Sequence, residues 1–198
     1  TGAALSSNVQ AFFGSSASVT IPVGQQVYSD KVTLPVNAND DVAVSFYMSG
    51  TAPAKWAIGW PDDISVSSYC TAFVNGGNHA ADTVSTSFSP MTGNKGSGPS
   101  ELLTAVDVYS NQPTGSVIVL GDSIAAGTSA MPRDIYARWS DVLAEQLRLS
   151  PNPKPVANMA VSGDTCEITN SWVLPLLSRL NRDATSQSGV SHVIVNIG

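Results

Sequence analysis

Val117-Ile118-Val119-Leu120 runs without a break into Gly121-Asp122-Ser123-Ile124. An unbroken apolar, β-branched segment of this kind fits a strand covered on both faces of a parallel sheet. In open α/β sheets the chemical groups lie just beyond the carboxyl ends of such strands, which makes Ser123 the residue to explain. Gly-Asp-Ser is also ordinary turn chemistry, in which Asp122 or Ser123 caps a following helix through a side-chain oxygen. A phosphate-binding loop is a further alternative for residues 121–127. It lacks the required Gly-Lys-[Ser/Thr] ending, since Gly127 is followed by Thr128 and Ser129. The Gly-x-Ser-x-Gly elbow of the α/β-hydrolases is absent as well.

The segments that follow repeat the same order. Trp139, Val142, Leu143 and Leu147 recur at helical spacing, with Ser140 and Asp141 near the expected N-terminus. Pro151, Pro153 and Pro155 end that helix, and Val156 to Ala160 form a second short strand running into Ser162-Gly163-Asp164-Thr165. Trp172, Leu176, Leu177 and Leu180 mark another helix, and His192 to Gly198 a third strand. The order β-α-β-α-β implies right-handed crossovers and a parallel sheet.

These residues resemble the SGNH (GDSL-type) hydrolases, serine esterases and lipases on a flavodoxin-like α/β fold. Gly121-Asp122-Ser123-Ile124 resembles the family's first block, with Ser123 at the nucleophile position. Asn158-Met159-Ala160-Val161-Ser162-Gly163-Asp164 resembles the second, with Gly163 at the position whose backbone N–H helps to form the oxyanion hole. Arg138 to Leu143 and Gly189 to Val195 are also similar to family sequence, so the likeness covers roughly Ser116 to Gly198. It implies that Ser123 attacks an ester carbonyl while a histidine takes its proton and a carboxylate orients that histidine. The backbone N–H groups of Ser123 and Gly163 would stabilise the oxyanion, and no cofactor is implied. Gly121, Asp122 and Asp164 take supporting roles in the loops, Asp122 by hydrogen bonding to backbone.

The family's third block, Gly-x-Asn-Asp, would begin at Gly198, so its asparagine and the later Asp-x-x-His are not supplied here. Neither His79 nor His192 replaces the base: one belongs to the first half, and the other opens a strand far from its functional end. The expectation is a second polypeptide, made by cleavage after Gly198, that completes the hydrolase and covers the sheet edge. A remainder that is disordered or cut away is the alternative.

Residues 1–112 read differently. Val27 to Leu34, Asp41 to Ser49 and Leu102 to Val108 alternate with period two between turn-rich breaks such as Gly50 to Pro53 and Pro90 to Ser100. This predicts an antiparallel β-sandwich or jelly-roll-like domain, joined through Asn111 to Gly115 to the α/β domain of residues 113–198. Trp56, Trp60, Tyr69 and Phe73 suit its core, or else platforms on which sugars stack. Asp62-Asp63 reads as a solvated turn or a calcium site. Cys70 and Cys166 either form a disulfide, worth roughly 4–5 kcal/mol by chain entropy, or remain free thiols.

With 42% hydrophobic and 12% charged residues in 198, the chain can bury a core. A net charge of −6 disfavours nucleic acid or an anionic membrane as partner. No apolar run spans a bilayer, and scarce histidine with no Cys-x-x-Cys argues against zinc. Few charges, abundant Ser, Thr, Asn and Gly, and a start at Thr1-Gly2-Ala3-Ala4 fit a secreted protein whose leader has been removed. The expected activity is therefore a secreted ester hydrolase acting on acyl or acetyl esters of carbohydrates or lipids. The alternative is a non-catalytic glycan-binding protein on a relic hydrolase scaffold.

Overall fold

The computed structural model describes residues 8–38, 40, 42–49, 72–73, 77–83, 89–90, 103–111, 115–127, 136–169 and 173–198. Trp56, Trp60, Asp62, Asp63, Tyr69, Cys70 and Trp172 lie outside the described residues, as does the turn-rich stretch 91–100. The regular elements, in chain order, are β1 (Ala72–Phe73), β2 (Ser89–Pro90), β3 (Ser116–Gly121), α1 (Ser123–Ala126), α2 (Trp139–Arg148), β4 (Val156–Asn158), α3 (Leu176–Leu180) and β5 (Val190–Asn196). A π-helical turn over Asn181–Thr185 continues α3. The described residues divide into two compact units, one within 8–49 and 77–89, the other in 72–73 and 90–198.

In the second unit β3 is the middle strand of a parallel sheet in the order β4-β3-β5. Its residues Val117 to Leu120 are all buried, the placement that an unbroken apolar strand requires. Val119 faces Asn158 of β4 and Ile194 of β5, and Gly121 faces Asn196. Alternate residues of β3 point to opposite faces. Ile118 and Leu120 pack with Leu176 and Ala184, and Met159, Leu180, Val190 and Ile197 close around them.

Each helix has a sequence reason for its ends. At the start of α2, the Arg138 N–H donates to Asp141 Oδ2 at 3.0 Å, and the Arg138 guanidinium forks onto the same carboxylate. Leu143 and Leu147 are half-buried while Val142 is exposed, and the helix stops just before Ser150 and Pro151. α3 begins after Pro175, and its first N–H groups find partners in the preceding loop: Leu176 donates to Thr165 O at 2.9 Å and Leu177 to Cys166 O at 3.2 Å. Leu176 of α3 packs on the face of Ile118 and Leu120, and Asn158, level with Val119 on the alternate face, reaches Ser140 of α2. The two helices therefore cover opposite faces of the sheet.

In the first unit the described residues carry one isolated antiparallel bridge, Phe13 to Ser16. Residues 27–34 and 42–48 form no ladder, and Val27, Tyr28, Val42, Val44, Phe46 and Tyr47 are exposed. Residues 103–108 likewise form no strand; they fall in the second unit, where Ser188 Oγ donates to Asp107 Oδ2 at 2.6 Å. The sandwich expected for residues 1–112 thus rests on the alternation of the sequence.

Candidate active site

Ser123 is the first residue of α1, immediately beyond the carboxyl end of the central strand. Asp122 caps this helix: its Oδ1 accepts from Ile124 N at 2.8 Å and Ala125 N at 3.4 Å. Gly127 closes the other end in the left-handed conformation, with its N–H on Ile124 O at 3.1 Å. The turn is sharp because Gly121 approaches β5 closely. At φ 149° a Cβ there would lie 1.8 Å from Asn196 O and 2.6 Å from Ala125 Cβ, so only glycine fits. Ser123 is half-buried, and Ile124 beside it is 72% exposed.

The second loop reaches the same place because pairing with β3 continues past β4. Met159 N donates to Val119 O at 2.8 Å and Val161 N to Gly121 O at 2.9 Å. A turn follows, closed by Asp164 N on Val161 O at 3.1 Å, with Gly163 at φ 77° in its third position, as a type II turn demands. Asp164 is buried and does not face solvent; its carboxylate pairs with the buried Arg179 guanidinium and accepts from Thr165 N at 2.8 Å. Arg179 also pairs with buried Asp183 and donates from Nε to Leu174 O at 3.0 Å. Burial of this cation is thereby matched by two carboxylates and a carbonyl. Asp183 also takes the Arg182 guanidinium, a hydrogen bond that holds Arg182 above the usual arginine range.

The structure therefore brings Gly121, Asp122, Ser123, Gly163 and Asp164 to one end of the sheet. It does not bring a histidine there. His192 lies on β5 opposite Val117, four register positions from the Gly121 and Asn196 pair. That is about 13 Å along the strand at ~3.3 Å per residue. Its Nδ1 is 2.9 Å from Ser191 Oγ. His79 belongs to the first unit, where its Nδ1 meets Asp82 Oδ2 at 2.9 Å. Cys166 is an exposed free thiol, and Cys70, with which the sequence would pair it, lies outside the described residues. Among the described residues, no cluster of three or more His, Cys, Asp or Glu could hold a metal ion, and no helix is long and apolar enough to cross a membrane.

Three supporting side chains had no assigned role in the sequence. Trp139 Nε1 and Asn158 Nδ2 both donate to Ala125 O, at 2.8 and 3.0 Å, and Asn158 Nδ2 also reaches the buried Ser140 Oγ at 3.0 Å. Arg179 locks the loop after Gly163. A polar residue at the carboxyl end of a strand was the available signal for Asn158, and the i, i+4 spacing of Arg179 and Asp183 that for the buried ion pair. Compared with known proteins, the chain matches no family profile and no curated protein.

Proposed function

We propose that this chain carries the nucleophile of a serine ester hydrolase of the SGNH type, acting on acyl or acetyl esters of carbohydrates or lipids outside the cell. The observation that carries the reading is the position of Ser123: first in a capped helix, at the carboxyl end of the central parallel strand, beside the Gly163 turn. In this mechanism Ser123 Oγ attacks the ester carbonyl and loses its proton to an imidazole. The tetrahedral intermediate then expels the alcohol and leaves an acyl-enzyme, which water hydrolyses. Ser123 and Gly163 offer backbone N–H groups to the oxyanion, and removing one such donor costs about 10²–10³ in rate. The imidazole and its carboxylate come from residues other than His192, whose strand position holds it at the wrong end of the sheet.

The reading is tested by treating the native preparation with a fluorophosphonate probe and measuring intact mass, with Ser123→Ala as control. One adduct on this chain, absent from the control, is the expected result. An unmodified chain, or an adduct that persists in S123A, would overturn the assignment of Ser123.

A further inference from the structure

α1 has four residues, too few for a helix to persist by its own hydrogen bonds. The Asp122 cap is local and moves with the turn. What fixes α1 against the sheet must come from elsewhere in the fold, and two donors do this at one atom: Trp139 Nε1 and Asn158 Nδ2 both reach Ala125 O. Ala125 follows Ser123 by two residues, about 200° around the helix. Ala125 is fully buried, so pinning it directs Ser123 away from the core and toward the end of the sheet.

Asn158 is the more constrained of the two donors. It is the last residue of β4, in register with Val119 of the central strand. Its Oδ1 accepts from Ala160 N at 3.1 Å, which fixes the amide orientation and turns Nδ2 toward Ala125 O and Ser140 Oγ. One side chain thus joins β4, the helix of the nucleophile and the start of α2.

Resting on the reading of Ser123 as nucleophile, we infer that Asn158 is the positioning residue that sets the attack geometry of Ser123, with Trp139 sharing the load at the Ala125 carbonyl. Misplacing a reacting group by about 1 Å can cost about 10² in rate. Asn158→Asp is nearly isosteric and keeps the acceptor for Ala160 N, but it turns a carboxylate oxygen toward the Ala125 carbonyl. Trp139→Phe removes the second donor while leaving β4 intact.

The experiment follows fluorophosphonate labelling of the full chain in its native preparation across probe concentrations, with thermal midpoints as a folding control. The N158D variant should lower the maximal labelling rate by about tenfold to a hundredfold, with the half-saturating probe concentration within about twofold of wild type. W139F should slow the same rate several-fold. Exposed Val142 on the same helix serves as a control, and V142A should leave the rate unchanged. A folded N158D labelled at the wild-type rate overturns the proposal and leaves the Ser123 assignment standing. If N158D does not fold, W139F decides, and unchanged labelling in W139F overturns it. An unlabelled wild-type chain removes both the esterase reading and this one.

Discussion

Two glycines flank the candidate site, and they are glycine for different reasons. At Gly121 an added methyl would meet the Asn196 carbonyl and the Ala125 methyl far inside contact distance, in a backbone conformation closed to other residues. Backbone strain of about 1–3 kcal/mol adds to overpacking of about 1–3 kcal/mol, so Gly121→Ala should lose about 2–6 kcal/mol in urea titration. Gly163 is exposed, and a Cβ added there would have nothing within 4 Å, so Gly163→Ala meets only the left-handed penalty, about 1–2 kcal/mol. Equal losses for the two would show that the Gly121 clash is relieved by movement of β5. A third residue-scale outcome concerns charge. The Arg148 guanidinium forks onto Glu145 and, chiefly through that hydrogen bond, holds its carboxyl below the ordinary glutamate value. A group lowered on folding stabilises above its unfolded value of about 4.3, and that contribution fades as pH falls through the lower folded one. Carboxyl NMR should find Glu145 titrating below a free glutamate, and Arg148→Gln should return it to the ordinary range.

At the scale of the elements, the α3 helix with its π-helical turn depends on a single side chain. Arg179 stands between Asp164 and Asp183, and all three are buried. Removing the guanidinium leaves buried Asp164 without its cation and Asp183 with Arg182 alone, so Arg179→Leu should cost about 3–5 kcal/mol in denaturant unfolding. Replacing all three by apolar residues of similar volume should recover most of that loss, because no buried charge then remains. A single variant as stable as wild type would mean that the carboxylates reach water. The same segment shows where sequence reading stops. α2 was legible because Leu143 and Leu147 repeat at helical period and prolines mark its end. In the next helix, Leu176 and Leu180 gave the period, but the widening into a π turn at Asn181 was not legible, since no residue pattern there marks it, and within it Asp183 turns inward to Arg179. β5 starts at Val190, two residues before the expected His192, because a bulge opposite Ser116 admits Ser191.

At the scale of the molecule, the two halves of the chain were legible to different depths. A fully buried parallel strand announces itself by composition alone, so Val117 to Leu120 pointed to the sheet, its polarity and the end at which Ser123 would stand. The network beneath Ser123 was hidden because Asn158 lies far along the chain from Trp139 and Ser140 and joins them only in the fold, Trp139 at the Ala125 carbonyl and Ser140 at the Asn158 amide. Period-two alternation is a weaker signal, since it states which residues would share a face without naming a partner strand. Residues 27–34 and 42–48 have that alternation, yet they join no ladder in the structure, and Val27, Tyr28, Val42, Val44, Phe46 and Tyr47 are exposed while Val32, Leu34 and Met48 are half-buried. Local stability should follow this contrast, because amides in densely buried strands open only with the whole unit while unpaired segments exchange almost freely. Native-state hydrogen exchange should therefore find the β3 amides from Val117 to Leu120 the slowest among the described residues, and those of 42–48 and of 27–29 and 32–34 exchanging within seconds to minutes, with Asp30, whose N–H donates to Phe12 O at 2.7 Å, slower than its neighbours. Slow exchange at alternate amides of these two segments would instead reveal ladder hydrogen bonds, and with them the antiparallel sheet that the alternation calls for.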